Sequence, residues 1–189
     1  MKKLFLAASV VLLAACASPQ KEQINFIPTA ATSAAKMVEG KSISLSSQDV
    51  RAAQYVALLD NGRNTITPVH TRQNVRIGIE NALVNQFSSQ GYQVTVNSAN
   101  SLKVVIQEAL VSVKHSVMAN DMNSSVVVEL TAENAKGKLI KKYTATASRS
   151  GMMSASNSDI ELVFNDTVNK LLEEIANDTE LQLYMKERF

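Results

Sequence analysis

Hydrophobic and polar positions along this chain change period several times, and each change marks an element. Ile43, Leu45 and Ser47 alternate with Ser44 and Ser46, which predicts a half-buried strand ending near Val50-Arg51. Tyr55–Leu59 and Asn64–Thr67 flank Asp60-Asn61-Gly62-Arg63, and Asn-Gly tolerates the positive φ a tight hairpin needs. The period then becomes helical. Val75, Ile79, Ala82, Leu83 and Phe87 share one stripe, Arg72, Arg76, Glu80 and Gln86 fall largely opposite, and Gly91 stands where a left-handed residue ends a helix. With Thr67-Pro68 as cap and first helical residue, this predicts a helix over about 70–89.

Tyr92–Val96 reads as a short strand. Leu102–Val117 is too long for an undisturbed one, and its apolar parity shifts between Val104/Ile106 and Ala109/Val111/Val113, which predicts a bulge near Gln107-Glu108. Val126, Val128, Leu130 and Ala132 form the next strand, 134–137 the turn, and Leu139 to about Ser148 the return. An antiparallel meander is the simplest pairing of these three. After a polar loop at 150–157, Ser158-Asp159-Ile160-Glu161 has the spacing of a capping box. The helix behind it presents Ile160, Val163, Phe164, Thr167, Leu171, Leu172 and Ile175. Asn177-Asp178-Thr179 breaks it before a short last helix over 180–188. The expected architecture is α+β: a two-layer sandwich with a mostly antiparallel sheet of about six or seven strands and two long amphipathic helices on one face.

The N-terminus is patterned differently. Met1-Lys2-Lys3 is a basic start, residues 4–13 are apolar, and Leu13-Ala14-Ala15-Cys16 places the chain's one cysteine after two small residues. About ten apolar residues are too few to span a bilayer, which takes roughly 20, and the layout is that of an export signal. The tetrapeptide resembles the lipobox of bacterial lipoproteins. That resemblance implies cleavage before Cys16, a diacylglyceryl thioether on its sulfur and an acyl chain on its amine. Three chains at about 0.8 kcal/mol per buried methylene make such an anchor effectively stable. The expected organisation is a signal peptide over 1–15, a flexible tether over 16–40 reaching roughly 80 Å when extended, and one α+β domain over 41–189.

Charge changes meaning once the leader is set aside. Removing Lys2 and Lys3 takes the 19 basic residues to 17, equal to the 17 acidic ones. The apparent basicity is then a property of the leader, and nucleic-acid binding, which needs a concentrated cationic face, loses its support. With Cys16 modified no thiol remains for a disulfide, a metal or catalysis.

Candidate chemistry elsewhere is sparse. His70 and His115 fall on different elements. His115, Met118 and Met122 are soft donors that could suit Cu(I), though two methionines beside a strand end have an ordinary packing explanation. Ser148-Arg149-Ser150-Gly151 lacks a neighbouring base, and a hydrolase would need a histidine to meet a distant acid and a nucleophile. Glu173-Glu174 are consecutive on a helix and read as a solvated face, and Asp49 and Arg51 as a surface ion pair. No Gly-rich phosphate loop is present. The expectation is no enzyme, no cofactor and no metal, with Cys16 as the one site residue, the membrane as partner through the lipid on Cys16, an unidentified envelope protein as a candidate second partner, and no nucleic acid.

The lipobox, the strand ending Asp49-Val50-Arg51, the run Thr71-Arg72-Gln73-Asn74-Val75-Arg76 opening a helix that closes at Gly91-Tyr92, and the tail Ile175–Thr179 together resemble the YajG-type family of functionally uncharacterised outer-membrane lipoproteins. The resemblance implies a periplasm-facing domain and carries no catalytic residues. By the sorting rule of such lipoproteins, Ala17 in place of Asp implies the outer membrane, with inner-membrane retention the alternative. The order strand–helix–meander–helix also looks like that of lipoprotein subunits of envelope lipid-transport machines. Two roles follow as expectations: an envelope interaction or maintenance factor, or a lipid- or small-ligand-binding accessory of a transport machine.

Overall fold

The computed structural model describes residues 23–62 and 65–189. Its elements, in order, are β1 (Gln23–Ile24), β2 (Ser42–Asp49), β3 (Ala57–Asp60), β4 (Ile66–Thr71), α1 (Val75–Ser89), β5 (Gln93–Val94), β6 (Ser101–His115), β7 (Ala119–Asn134), β8 (Gly137–Met152), α2 (Asn157–Ala176) and α3 (Thr179–Arg188). This is a mixed α+β fold of eight strands and three helices among the described residues.

The meander β6–β7–β8 is the spine, and its first strand explains the parity shift. Leu102, Val104 and Ile106 are fully buried, then Ala109, Val111 and Val113 take over. The ladder to β7 passes from Ile106↔Val128 to Glu108↔Val127, leaving Gln107 as the bulged residue. One extra residue exchanges the faces of everything after it, so both halves of β6 keep their apolar side chains in the core. Against the other edge of β6 lie two collinear strands. β2 pairs in parallel with Ser101–Ile106 and β3 in parallel with Val111–Lys114, one on each side of the bulge.

The sheet is therefore more mixed than the sequence reading expected. Four of its seven pairings are parallel: β1–β4, β2–β5, β2–β6 and β3–β6. The antiparallel ladders are β3–β4, β6–β7 and β7–β8. The long strands follow the hairpin expectation; the short ones reach β6 through crossovers, which impose parallel pairing. α1 packs on β2 and β5, α2 packs across β6, β7 and β8 and against β1, and the two helices touch.

Two helix starts lie elsewhere than their patterns suggested. α1 begins at Val75, capped by Asn74, whose side chain accepts from the Ile77 N–H at 3.1 Å. Thr67-Pro68 instead belongs to β4, opposite Leu59 and Leu58. Among the described residues β4 meets only the two of β1 on its outer side, and so sparsely paired a strand tolerates a proline. In α2 the capping box is Ser156 with Asp159, not Ser158 with Glu161. Ser156 Oγ accepts from the Asp159 N–H at 3.2 Å, and the Asp159 carboxylate accepts from the Ser156 N–H at 3.1 Å. β8 also runs on to Met152, shrinking the expected loop.

The stripes themselves hold. α1 buries Val75, Ile79, Ala82, Leu83 and Phe87, and α2 buries all seven expected residues plus Val168. Gln86, expected on the polar side, is fully buried. With its amide turned to satisfy both atoms, it donates to the Leu172 carbonyl (3.2 Å) and accepts from the Ala176 N–H (3.3 Å), joining α1 to the end of α2.

The largest departure concerns residues 23–40, read as the greater part of a loose tether. They are a docked strap. Ile24 and Phe26 are 1% and 2% exposed, and the Phe26 ring meets Phe164 of α2 at 5.3 Å. The backbone N–H groups of Asn25, Ile27 and Thr29 donate to Glu161, Asn165 and Asn169 at 2.8, 2.9 and 2.8 Å. The fit is geometric. Every second residue of an extended chain advances about 6.6 Å, and every fourth residue of a helix about 6 Å. A row of side chains at i, i+4 and i+8 thus serves as a sheet edge. Farther on, Met37 and Val38 donate to the Gln90 carbonyl and Gly40 to that of Gly91.

Candidate functional site

Cys16, the sole site residue expected from the sequence, lies outside the described residues, as do the signal segment and residues 17–22. The other sequence candidates do not converge. His115, at the end of β6, is hydrogen-bonded through both ring nitrogens: Nδ1 lies 2.8 Å from Asn61 Oδ1, and Nε2 accepts from the Ala155 N–H at 3.1 Å. Through these two bonds the ring pins the β3–β4 loop and the residues just before α2 to β6. Met122 is buried at 2% exposure while Met118 is 80% exposed. His70 sits on β4 in register with Gln23. Among the described residues no three His, Asp or Glu gather as metal ligands would. Glu173 and Glu174 are both exposed.

Asp49 and Arg51 do pair, but not on the surface. Their side chains are 11% and 5% exposed. Arg51 donates through Nε to Oδ1 of Asp49 (3.0 Å) and through Nη2 to Oδ2 (2.8 Å), while Nη1 reaches the carbonyls of Tyr55 and Ala109 at 3.3 Å. The pair staples the excursion between β2 and β3 to β6 beside the bulge. Burial pushes the Asp49 carboxyl up, and the hydrogen bonds and charge of Arg51 outweigh it, so the group lies below its ordinary 3.8.

A cavity of about 530 Å³ opens where the strap, the end of α1 and α3 meet. Val38, Phe87, Tyr92, Ile175, Leu181 and Met185 line its interior, and the exposed Lys36 and Lys186 stand among its outer residues. Each wall is held. Gly91, at φ 99°, lets the strap approach closely: a Cβ there would lie 2.0 Å from the Val38 carbonyl oxygen. Phe87 and Tyr92 meet edge to face at 6.1 Å, and burial pushes the Tyr92 phenol up to about 12. α3 is fixed by its cap, Asp178, whose Oδ1 accepts from the N–H groups of Glu180 and Leu181 at 3.0 Å. The same carboxylate takes the Lys141 ammonium at 2.7 Å and the Tyr143 hydroxyl at 2.8 Å from β8. Burial raises Asp178, but Lys141, the cap N–H and Tyr143 together bring it below 3.8. Size and lining suit an apolar ligand.

Sequence reading missed this cavity because its residues come from three separate stretches and each looks like core. The strap ladder left a signal, the i, i+4, i+8 row Glu161, Asn165 and Asn169. Such a row on a helix ordinarily reads as solvated surface.

A family model described as uncharacterised lipoprotein matches residues 28–186, and no curated protein matches the chain. The fold is similar to the crystal structure of a Xanthomonas campestris protein of the DUF330 family, with TM-score 0.60 and 10% identity over 90% of this chain and 99% of that one. A second crystal structure, of an uncharacterised protein, aligns with TM-score 0.54 and 8% identity over 84% of this chain and 99% of the other. At such identities the likeness is one of fold alone. Among the described residues no helix is long and apolar enough to cross a membrane. The chain belongs to the uncharacterised lipoprotein family.

Proposed function

We propose that this protein is a non-catalytic, lipid-anchored envelope factor that works by binding another envelope component, with Cys16 acylated and the domain facing the periplasm from the outer membrane. The observation that carries the binding role is the edge of β8. Among the described residues this sixteen-residue strand pairs with β7 alone, so its outer edge offers backbone donors and acceptors to an incoming strand. Lys138 and Lys142 along it are the charges by which natural edges discourage indiscriminate pairing. The groups with catalytic potential, His115, Asp49 and Asp178 among them, are engaged in fastening loops and caps.

Photo-crosslinking in cells from exposed edge positions such as Thr144 and Ser148, compared between the wild type and Cys16→Ala, tests this. The expected result is one discrete adduct with an envelope protein that disappears in the variant. A clean monomer from every position overturns the reading.

The 530 Å³ cavity favours a second reading, an accessory that carries an amphiphile. Its apolar interior would take an acyl chain, and Lys36 and Lys186 an anionic head group. Protein released from native membranes in mild detergent should then retain lipid stoichiometrically. Lipid-free protein would sink it.

A further inference from the structure

Four of the five most exposed large hydrophobic residues described here lie together at one end of the molecule. Val117 and Met118 form the β6–β7 turn, at 101% and 80% exposure, and Met152 and Met153 close β8, at 89% and 77%. They are neighbours: Ala119 pairs with Met152, and the Met153 N–H donates to the Met118 carbonyl at 3.2 Å. The tip is held in shape. Met153 is the one non-glycine residue with positive φ, 66°, among those described. Asn120, 4% exposed, donates from its side chain to the Met153 carbonyl at 2.8 Å, and the Ser116 N–H donates to the Ala119 carbonyl at 2.8 Å. A costly backbone conformation stabilised by a buried side chain thus presents apolar side chains to water.

The course of the N-terminal chain says what meets them. β1 is parallel to β4, with Gln23 level with His70. Through Val69↔Ala57 and Ala57↔Val111, that position is level with Leu110 of β6. β4 runs away from the tip, so β1, parallel to it, enters the domain from the tip's side. The strap agrees, since Asn25, Ile27 and Thr29 climb α2 from Glu161 to Asn169, away from the end where α2 begins. From Leu110 to the turn at Ser116 is about 20 Å at ~3.3 Å per residue. Seven residue steps from Gln23 back to Cys16 span at most about 25 Å. The anchor can therefore lie level with the tip and scarcely beyond it.

We infer that Val117, Met118, Met152 and Met153 enter the surface of the same lipid leaflet that holds the acyl chains of Cys16, so that the domain stands on the membrane at two points. The inference rests on the acylation of Cys16. The Ser116–Ala119 and Met153–Met118 backbone hydrogen bonds satisfy part of the tip's polar backbone internally, which lowers the cost of entering a bilayer, where unpaired polar groups are costly. Lys114 and Arg149, both exposed, lie three or four residues behind it, at the depth of anionic head groups for a shallow insertion of 5–10 Å.

The mature acylated protein has no free thiol, so Met118→Cys, Met152→Cys and, at the opposite end, Lys136→Cys each carry one environment-sensitive fluorophore. The lipidated variants are reconstituted in phosphatidylethanolamine–phosphatidylglycerol vesicles with and without bromine on the acyl chains, and the intact mass is read in parallel. Dyes at 118 and 152 should lose about half their emission to brominated lipid, and the dye at 136 essentially none. Quenching at 118 and 152 no greater than at 136, with three acyl chains in the mass, overturns the tip alone. A mass without acyl chains overturns the anchor and the tip together.

Discussion

Arg51 donates to a carboxylate and two backbone carbonyls from a side chain only 5% exposed, and this geometry decides what its loss does. Removing one partner of such a pair leaves the other charged in the interior. Asp49→Ala and Arg51→Met should each cost about 3 kcal/mol, and the double variant clearly less than the sum; urea unfolding of the three proteins measures the coupling. Additivity would show that the pair is solvated. A glycine makes an opposite kind of test. Alanine in a helix interior normally gains about 1 kcal/mol over glycine. At Gly78 of α1, however, a Cβ would lie 2.5 and 2.9 Å from the Phe26 ring, and that ring is fixed against Phe164. Gly78→Ala should therefore destabilise by about 1–3 kcal/mol. A rise in melting temperature would show that Phe26 yields freely.

At the scale of elements, what holds the segments together is a set of hydrogen-bonded fasteners. In the strap ladder, Asn165→Ala removes the acceptor for Ile27 and the donor to the Asn25 carbonyl, at about 1 kcal/mol for each bond lost. Combined with Asn169→Ala it should expose residues 23–35 to protease well below the denaturant concentration that unfolds the whole protein; simultaneous loss would make the strap part of the main cooperative unit. The α3 cap supplies a pH test. Asp178 lies below its ordinary value when folded, so its contribution to stability is complete above about pH 4 and is lost as pH falls through the lower folded value. Asn is a good cap but cannot pair with Lys141. Asp178→Asn should lower the urea midpoint near neutrality and flatten its fall as pH drops below about 4.

These elements also show what was legible beforehand. The bulge near Gln107 was readable because parity is a direct imprint of burial. Both helix stripes were readable for the same reason. The strap was not, since its polar residues find partners about 136–140 positions away and no local period records them. Likewise Ser158-Asp159-Ile160-Glu161 has a capping box's spacing, but Glu161 is used by Asn25, so the cap falls on Ser156. The candidate site followed the same divide. Cys16 is legible as a local motif, whereas the cavity is assembled from residues far apart in the chain.

For the molecule as a whole, docking of the strap leaves seven residue steps between Cys16 and Gln23 where the sequence reading counted about 24 tether residues, and that length becomes a mechanical variable. A long leash would let the domain wander through the periplasm. With Cys16 acylated as proposed, a link of at most about 25 Å would hold the tip against the leaflet at high effective concentration. Inserting a 20-residue Gly/Ser segment between Ala17 and Gln23 raises the root-mean-square span to roughly 30 Å and alters no contact in the described domain. Acylation and the urea midpoint should be unchanged, while quenching of a dye at residue 118 by brominated lipid falls, because contact then depends on the tip's own weak affinity. Quenching that survives the insertion would mean that the four apolar side chains bind lipid unaided and that the short link serves another purpose, such as setting the height at which the β8 edge meets its partner.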